Sequence, residues 1–230
     1  MSVVELKDVK KTYMLGETEV HALRGVSFAI EKGEFITIAG PSGSGKSTIL
    51  NMIGLIDEPT DGRVSIDNRE VISLTDNQIT DYRLLKIGFI FQSFNLISVL
   101  NVFENIEFPL LLKRSINRNE RRDRVMHFIR EVGLEDRIKN KPSELSGGQR
   151  QRVAIARALV TSPVLVLADE PTANLDTETG ERIIVLMKEI NTKENTTFIF
   201  STHDDLIMKY ALRVIHIRDG HITGEEVKKE

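Results

Sequence analysis

The stretch "GPSGSGKS", Gly40 to Ser47, restricts the possible folds more than any other part of the sequence. It follows the apolar run "FITIA" and precedes "TILNMIGLI", so a glycine loop joins a predicted buried strand to a predicted helix. This order matches the phosphate loop, in which glycines let successive backbone N–H groups turn toward a phosphate, a lysine adds positive charge and a serine hydroxyl coordinates Mg²⁺. The predicted phosphate-binding residues are Gly40, Pro41, Ser42, Gly43, Ser44, Gly45, Lys46, Ser47 and Thr48.

The phosphate loop alone predicts binding of a nucleoside triphosphate without naming the protein class, because kinases, GTPases and motor ATPases share it. The alternative, a Gly-Ser turn that leads into a helix, is disfavoured by the strand–loop–helix context. The formal net charge of −3 gives no basic surface for nucleic acid, and the lack of cysteine excludes disulfides and thiolate metal sites. Apolar runs such as "VLVLA" have the length of strands, so we expect no membrane span, and the charged first residues predict no signal peptide.

The pattern of strands and helices predicts an α/β protein with a P-loop NTPase core, a small antiparallel β subdomain and an inserted α-helical subdomain. Short β-branched runs alternate with helical segments on either side of the middle third, which indicates a parallel sheet with helices on both faces. Within the middle third, Val125, Phe128, Ile129 and Val132 recur at helical spacing, and Gly133 is the predicted C-cap. We predict one domain, 1–230, with its core at 1–92 and 153–230 and its helical subdomain at 93–152.

A pair of carboxylates follows the apolar run "VLVLA". Asp169 ends this predicted strand, where it can hold Mg²⁺ through water. Glu170 points to the other side, where it can take a proton from an attacking water molecule. The alternative is an acidic strand end that water solvates, but the apolar strand before the pair and Pro171 after it favour the functional interpretation.

A second glycine pair opens a predicted helix in "LSGGQRQRVAIARAL", 145–159. Ser146, Gly147 and Gly148 would offer a hydroxyl, two N–H groups and the positive end of a helix to an anion. Because an open α/β sheet binds its ligand at the carboxyl ends of its strands, this segment cannot easily reach the phosphate loop of its own chain. We expect it to act on the nucleotide of a second copy. The alternative is an ordinary helix N-cap.

These motifs, with "NLD" at 174–176 and "STHD" at 201–204, resemble the nucleotide-binding subunit of ABC transporters along nearly the whole chain, and LSGGQ is the most discriminating of them. The resemblance implies that ATP and Mg²⁺ are the cofactors, that Tyr13 stacks on adenine, and that residues 174–176 lie at a dimer interface. His21, His127, His216 and His221 are interpreted as surface or core residues. The implied catalytic residues are Lys46, Gln92, Glu170 and His203; the implied metal ligands are Ser47, Gln92 and Asp169; the implied residues acting on the second copy's ATP are Ser146, Gly147, Gly148 and Gln149.

The segment "GFIFQSFNLISVLNVFENIEFPLLL", 88–112, resembles the lipoprotein-releasing and macrolide-exporter type of this family. That type implies an integral membrane permease subunit as a partner, whose coupling helix contacts the chain, and a peripheral location at the cytoplasmic face of the cell membrane. No nucleic acid partner is expected. The apolar side chains after Gln92 would either receive the coupling helix or form the core of the helical subdomain. They are Phe94, Leu96, Ile97, Val99 and Leu100.

Three functions are therefore compared. The first is an ATPase that dimerises around two MgATP and drives a separate membrane subunit. The second is a non-transport ABC ATPase in nucleic-acid repair or translation, but the chain lacks the long coiled-coil insertion of the repair proteins and the tandem domains of the translation proteins. The third is a module that binds ATP without turnover, which the presence of Glu170 and His203 disfavours.

Overall fold

The computed structural model describes residues 2–113 and 116–228. The predicted domain span of 1–230 also includes Met1, Arg114, Ser115, Lys229 and Glu230, which lie outside the described residues. The strands are β1 (Ser2–Leu15), β2 (Thr18–Glu31), β3 (Phe35–Ala39), β4 (Asp61–Ile66), β5 (Arg69–Glu70), β6 (Ile87–Ile90), β7 (Leu165–Asp169), β8 (Thr197–Thr202), β9 (Arg213–Arg218) and β10 (His221–Val227).

The α-helices follow the strands in the alternation that the sequence predicts, with two helices, in residues 76–86 and 205–210, that the pattern did not reveal. Short 3₁₀ turns lie at Val71–Ser73, Glu135–Arg137 and Pro142–Glu144. The α-helices are α1 (Lys46–Ile53), α2 (Asp76–Lys86), α3 (Val102–Leu112), α4 (Arg118–Glu131), α5 (Gly147–Leu159), α6 (Thr177–Glu194) and α7 (Asp205–Tyr210).

A six-stranded sheet forms the centre of the fold, in the order β10-β9-β3-β8-β7-β6. Every neighbouring pair in it is parallel except β9 and β10, which form a hairpin at Asp219-Gly220. Strand β3, which leads into the phosphate loop, lies between β9 and β8, and β8 lies next to β7. The carboxyl ends of β3, β8 and β7 therefore meet at one edge, as the sequence predicts for a P-loop core.

Alternating side chains bury both faces of the central sheet. Leu165 and Leu167 pack with α1 and the small sheet, whereas Val166 and Ala168 pack with the helices α4, α5 and α6 on the opposite face. This two-sided burial explains why the strands read as continuous apolar runs, since neither face meets water.

The second sheet is the predicted antiparallel β subdomain, in the order β2-β1-β4-β5. Strands β1 and β2 form a long hairpin whose register shifts at several points, and each shift increases the local bend. Residues of the hairpin lie next to the phosphate loop: a Cβ at Gly45 would lie 2.7 Å from the Ala22 carbonyl oxygen. The small sheet therefore contributes one wall of the site described below.

Helices α3 and α4 follow β6 and pack against α5. Val125, Phe128, Ile129 and Val132 are buried as the helical spacing predicts, and Gly133 follows α4 with a φ of +64°. Helix α5 runs through residue 152, so the predicted helical subdomain and the core share one continuous helix. We propose 93–152 as the extent of that subdomain. Within the described residues, the helices are too short or too polar to cross a membrane.

Candidate functional site

The phosphate loop turns sharply between β3 and α1. Gly43 and Gly45 have φ values of +77° and +108°, which side-chain-bearing residues rarely adopt. A Cβ at Gly45 would also lie 2.9 Å from the Leu23 side chain. Helix α1 begins after Gly45 without a side-chain cap, so its N-terminal N–H groups and positive helix end are directed at the loop. This local geometry fits a phosphate group.

The Lys46 ammonium lies against the inside of the loop. Its side chain is almost fully buried, and Nζ donates to the carbonyl oxygens of Gly40 at 2.7 Å and Pro41 at 2.9 Å. An ammonium has three N–H donors, so these two bonds fix its position and leave one donor for a ligand. A buried positive charge with a remaining donor beside the open helix end fits a polyphosphate chain.

The hydroxyl and carboxylate that the sequence assigns to Mg²⁺ lie close together. Ser47 Oγ donates to Asp169 Oδ1 across 3.3 Å, although 121 residues separate them in the chain. Hydroxyl and carboxylate oxygens are the donors that Mg²⁺ prefers, with water completing its octahedral shell. The residues present therefore fit a magnesium ion held next to the phosphate loop.

Glu170 is held by three contacts at the end of β7. Its backbone has a φ of +45°, an uncommon value for a residue with a side chain, and its N–H donates to the Ser201 carbonyl oxygen at 2.9 Å. Its carboxylate accepts a hydrogen bond from Thr202 Oγ1 at 2.9 Å and lies 2.7 Å from His203 Nδ1. Because an ionised carboxylate only accepts, Nδ1 carries the proton in this pair. The His203 side chain is 71% exposed and that of Glu170 only 18%.

These groups surround one cavity of about 460 Å³. Gly40, Pro41 and Ser44 belong to the loop but do not line it, and Val20, His21, Ala22 and Ala173 line it although the sequence did not mark them as binding residues. The predicted site residues that line it are Ser42, Gly43, Gly45, Lys46, Ser47, Thr48, Gln92, Asp169, Glu170 and His203.

Tyr13 does not line this cavity, although its strand partner Val20 does. Its hydroxyl donates to Asp57 Oδ2 at 2.8 Å, and Lys11 Nζ lies 2.6 Å from the other oxygen of the same carboxylate. Burial and the bond to Asp57 raise the pKa of Tyr13. Burial alone would raise the pKa of Asp57, but the bonds from Lys11 and Tyr13 outweigh it and lower that pKa. The hydroxyl of Tyr13 thus has a structural partner that its sequence context did not reveal.

His21 is an exposed residue, in agreement with its interpretation as a surface or core residue, and it also forms part of the cavity wall. Its Nδ1 lies 2.9 Å from Thr12 Oγ1 across the β1–β2 hairpin. The hairpin register determines which side chains of β2 face the loop, and the shifts in that register are not legible in the sequence. The position of His21 in the cavity wall can be identified only from the pairing of β1 with β2.

The second glycine pair does not line the cavity. Ser146 caps α5: its Oγ accepts from Gln149 N at 3.3 Å, and Gln149 Oε1 accepts from Ser146 N at 2.9 Å. A Cβ on Gly147 would lie 3.1 Å from the Leu175 side chain, in the "NLD" segment. The structure therefore brings Ser146 to Gln149 next to residues 174–176 and keeps them apart from the phosphate loop of the same chain.

The loop after Gln92 is held by the C-terminal end of α5. Phe94 and Asn95 have φ values of +60° and +47°, and Arg157 of α5 donates to their carbonyl oxygens at 2.8 Å and 2.5 Å. Burial lowers the pKa of Arg157. Asn174 Nδ2 donates to the Gln92 carbonyl oxygen at 2.9 Å, so the Gln92 loop also contacts the "NLD" segment.

The apolar side chains after Gln92 differ in burial. Phe94 is buried and Leu96 packs against the core, so these two belong to the interior of the protein. Val99 is 71% exposed. A neighbouring groove of about 250 Å³ is lined by Phe89, Phe91 and residues of α3 and α5.

Comparison with known proteins identifies the family. Residues 23–173 match the family described as ABC transporter. The uncharacterised ABC transporter ATP-binding protein MJ0796 of Methanocaldococcus jannaschii is 48% identical over 227 residues, 97% of each chain. A solved structure described as a dimeric post-hydrolysis state of MJ0796 bound to ADP and Pi has a TM-score of 0.90 at 46% identity and covers 99% of both chains.

The macrolide export ATP-binding/permease protein MacB of Syntrophobacter fumaroxidans is 43% identical over 226 residues. That match covers 98% of this chain and 32% of MacB, so the chain spans about a third of that relative's length. The chain belongs to the ABC transporter family, as its motifs predict. Within that family it is an ATP-binding subunit, an ATPase whose nucleotide is MgATP.

Proposed function

We propose that two copies of this chain close head to tail around two MgATP and that their hydrolysis reopens the dimer, which drives a separate membrane subunit. Each site joins the cavity of one copy to Ser146, Gly147, Gly148 and Gln149 of the other. Lys46 binds phosphate, Ser47 and Asp169 hold Mg²⁺ with help from Gln92, and Glu170 is the general base.

The separation of the two glycine sites carries this proposal. The phosphate loop, Asp169, Glu170 and His203 line one cavity, whereas Ser146 to Gln149 lie outside it against residues 174–176. A helix start that is not directed at its own chain's ligand can still bind an anion presented by a neighbour. The relative MJ0796 has been solved as a dimer bound to ADP and Pi, which supports the same arrangement here.

The side chains at the carboxyl ends of β7 and β8 supply the chemistry. When bound, Mg²⁺ neutralises the charge that develops on the phosphate oxygens. Glu170 accepts the proton of a water molecule positioned between its carboxylate and the phosphate. His203, which faces the same carboxylate and is largely exposed, is free to turn toward the phosphate while Nδ1 keeps its proton for donation.

The proposed partner is an integral membrane permease subunit whose coupling helix docks near the loop after Gln92, and the proposed location is the cytoplasmic face of the cell membrane. Similarity to MacB, named a macrolide export ATP-binding/permease protein, supports the lipoprotein-releasing and macrolide-exporter type. The alternative of a non-transport ATPase in repair or translation receives no support, because the relatives described above are named as parts of transporters.

Mixing two inactive variants tests the composite site. Glu170→Gln damages the cavity of its own chain, and Ser146→Ala damages the segment that its chain contributes to the site of the other copy. In a mixed dimer both lesions therefore fall in one site, and the other site is intact. Random mixing gives about half mixed dimers with one good site each, so activity reaches about a quarter of wild type when the sites act independently. The variants are mixed before ATP is added and the dimers are identified by different tags.

Two controls accompany this experiment. In the first, each variant is mixed with itself. In the second, because the two sites of a dimer can be coupled, the criterion is whether activity rises clearly above the sum of the separate variants. If the glycine pair served its own chain, every site would carry one lesion. Confirmed mixed dimers without any rise in activity would then refute the composite site.

A further inference from the structure

We propose that Thr202 is a positioning residue for the general base: its hydroxyl holds the Glu170 carboxylate in the orientation that receives the water proton. This inference rests on the assignment of Glu170 in the proposed function. Thr202 is the last residue of β8, fully buried, and pairs in register with Ala39, the last residue of β3. Strand β8 lies between β3, which leads into the phosphate loop, and β7, which Glu170 follows.

The direction of the Thr202 hydroxyl proton is determined by its neighbours. Thr202 Oγ1 accepts a hydrogen bond from Asp204 N at 3.0 Å, which uses a lone pair of the oxygen. The hydroxyl proton is then directed to Glu170 Oε2 at 2.9 Å. Asp204 is itself fixed, because its carboxylate accepts from Thr172 Oγ1 at 3.1 Å and from Leu206 N at 2.9 Å. Thr202 therefore has a single orientation in which all of its hydrogen bonds are satisfied.

The two partners of the Glu170 carboxylate differ in mobility. His203 on Oε1 is 71% exposed, so its ring can move away from the carboxylate during the reaction. Thr202 on Oε2 is rigid, since it is buried in a strand between two other strands. When His203 turns away, the bond from Thr202 is the side-chain contact that keeps the carboxylate from rotating. A rotated carboxylate would lose alignment with the water molecule, which lowers the rate of the chemical step.

The experiment compares Thr202→Val, which removes the hydroxyl and keeps the shape, with Thr202→Ser, which keeps the hydroxyl. A hydrogen bond to a charged group contributes enough free energy that we expect kcat to fall about 10-fold to 100-fold in Thr202→Val. The KM for ATP should change less than about twofold. In Thr202→Ser, kcat should stay within about threefold of wild type. If Thr202→Val does not fold, Thr202→Ala replaces it, because that variant also lacks the hydroxyl.

Thr37→Val is the matched control. Thr37 is a fully buried strand residue of the same sheet, and within the described part of the chain its hydroxyl has no hydrogen-bond partner. The same chemical change there should leave kcat within about twofold of wild type. An equal loss in Thr37→Val and Thr202→Val would refute the proposal, because it would show a general effect of valine in the sheet.

A double variant separates a role through Glu170 from a role in folding. If Thr202 acts by orienting the carboxylate, then adding Thr202→Val to Glu170→Ala should change the residual rate less than about twofold. An independent structural role would reduce that rate by the same factor as in the wild-type background, and this result would overturn the inference. The two failures are distinguishable: Glu170→Ala with full activity overturns the proposed function, whereas an active Thr202→Val with an inactive Glu170→Ala overturns only the role of Thr202.

Discussion

Two helices of this chain begin with glycine-containing segments, and their first turns are built differently. Helix α1 follows Gly45, whose φ of +108° only glycine readily adopts, and it has no side-chain cap. Helix α5 follows Ser146, which has an extended backbone and a complete capping box with Gln149. The first helix leaves its N–H groups open to a ligand, whereas the second satisfies part of them within its own chain.

This difference separates the two roles that the glycines have in the protein. At α1 the glycines create the backbone conformation, so the loop itself is the binding device. At α5 the helix start is stable without a ligand, and Ser146 keeps its hydroxyl proton available for an outside acceptor, because its oxygen serves as the acceptor in the capping box. One chain thus forms the whole phosphate-loop half of a site, and the start of α5 is suited to a phosphate that another copy presents.

The largest expected effect comes from Glu170→Gln, which damages the cavity beside the start of α1 and leaves the start of α5 intact. The amide keeps the shape of the carboxylate but cannot accept the proton, so kcat should fall about 10²–10⁴-fold while ATP binding remains. The variant should also elute as an ATP-dependent dimer in gel filtration, because the α5 contacts are unchanged. A normal turnover rate would show that Glu170 is not the base.

The next effect comes from comparing Gly45→Ala with Gly147→Ala. Alanine at Gly45 is strained by its positive φ and would lie 2.7 Å from a backbone oxygen. The Cβ of alanine at Gly147 would lie 3.1 Å from the movable end of Leu175 and 3.6 Å, an ordinary contact distance, from the Asn174 carbonyl oxygen. With saturating ADP present, Gly45→Ala should lower the free energy of unfolding by about 1–3 kcal/mol more than Gly147→Ala does.

Thermal unfolding of both variants with ADP measures this difference, and ADP is chosen because it occupies the loop without being hydrolysed. Gly147→Ala should in turn lower the ATPase rate of the dimer although its stability is unchanged. Equal destabilisation by the two substitutions would remove the distinction between the helices.

The smallest effect concerns how far the α1 site extends toward the base of the nucleotide. Tyr13→Ala should weaken ATP binding by about 1 kcal/mol, or about fivefold, whereas Tyr13→Phe should not, because the ring face would contact adenine and the hydroxyl contacts Asp57. Fluorescence titration with a labelled nucleotide measures the affinities. Identical values in all three proteins would leave Tyr13 with a purely structural role.

The phosphate loop and the ends of β7 and β8 were predictable because each depends on short-range sequence. A glycine pattern between an apolar run and a helix determines the loop, and the topology of parallel strands brings their carboxyl ends together. Helix α2 was missed although its start has a legible signal. Thr75 and Gln78 form a capping box, but within the described residues of α2 no side chain is fully buried, so the apolar periodicity is weak.

The remaining features depend on contacts between distant segments. The partner of the Tyr13 hydroxyl, Asp57, lies 44 residues away, and the position of His21 depends on register shifts in the β1–β2 hairpin. The hydroxyl of Thr202 reaches Glu170 across 32 residues because β7 and β8 are neighbours. Such contacts follow from strand order, which a single sequence does not specify.

The parallel order of β3, β8 and β7 also bears on how such a protein can diversify. Neighbouring strands lie about 4.8 Å apart whatever the length of chain between them, so their tips keep a constant spacing. The residues from 93 to 152 leave the sheet after β6 and return before β7. Evolution can therefore change the length and the surface residues of this segment to suit a new membrane partner, while the reacting groups at the strand ends stay in place.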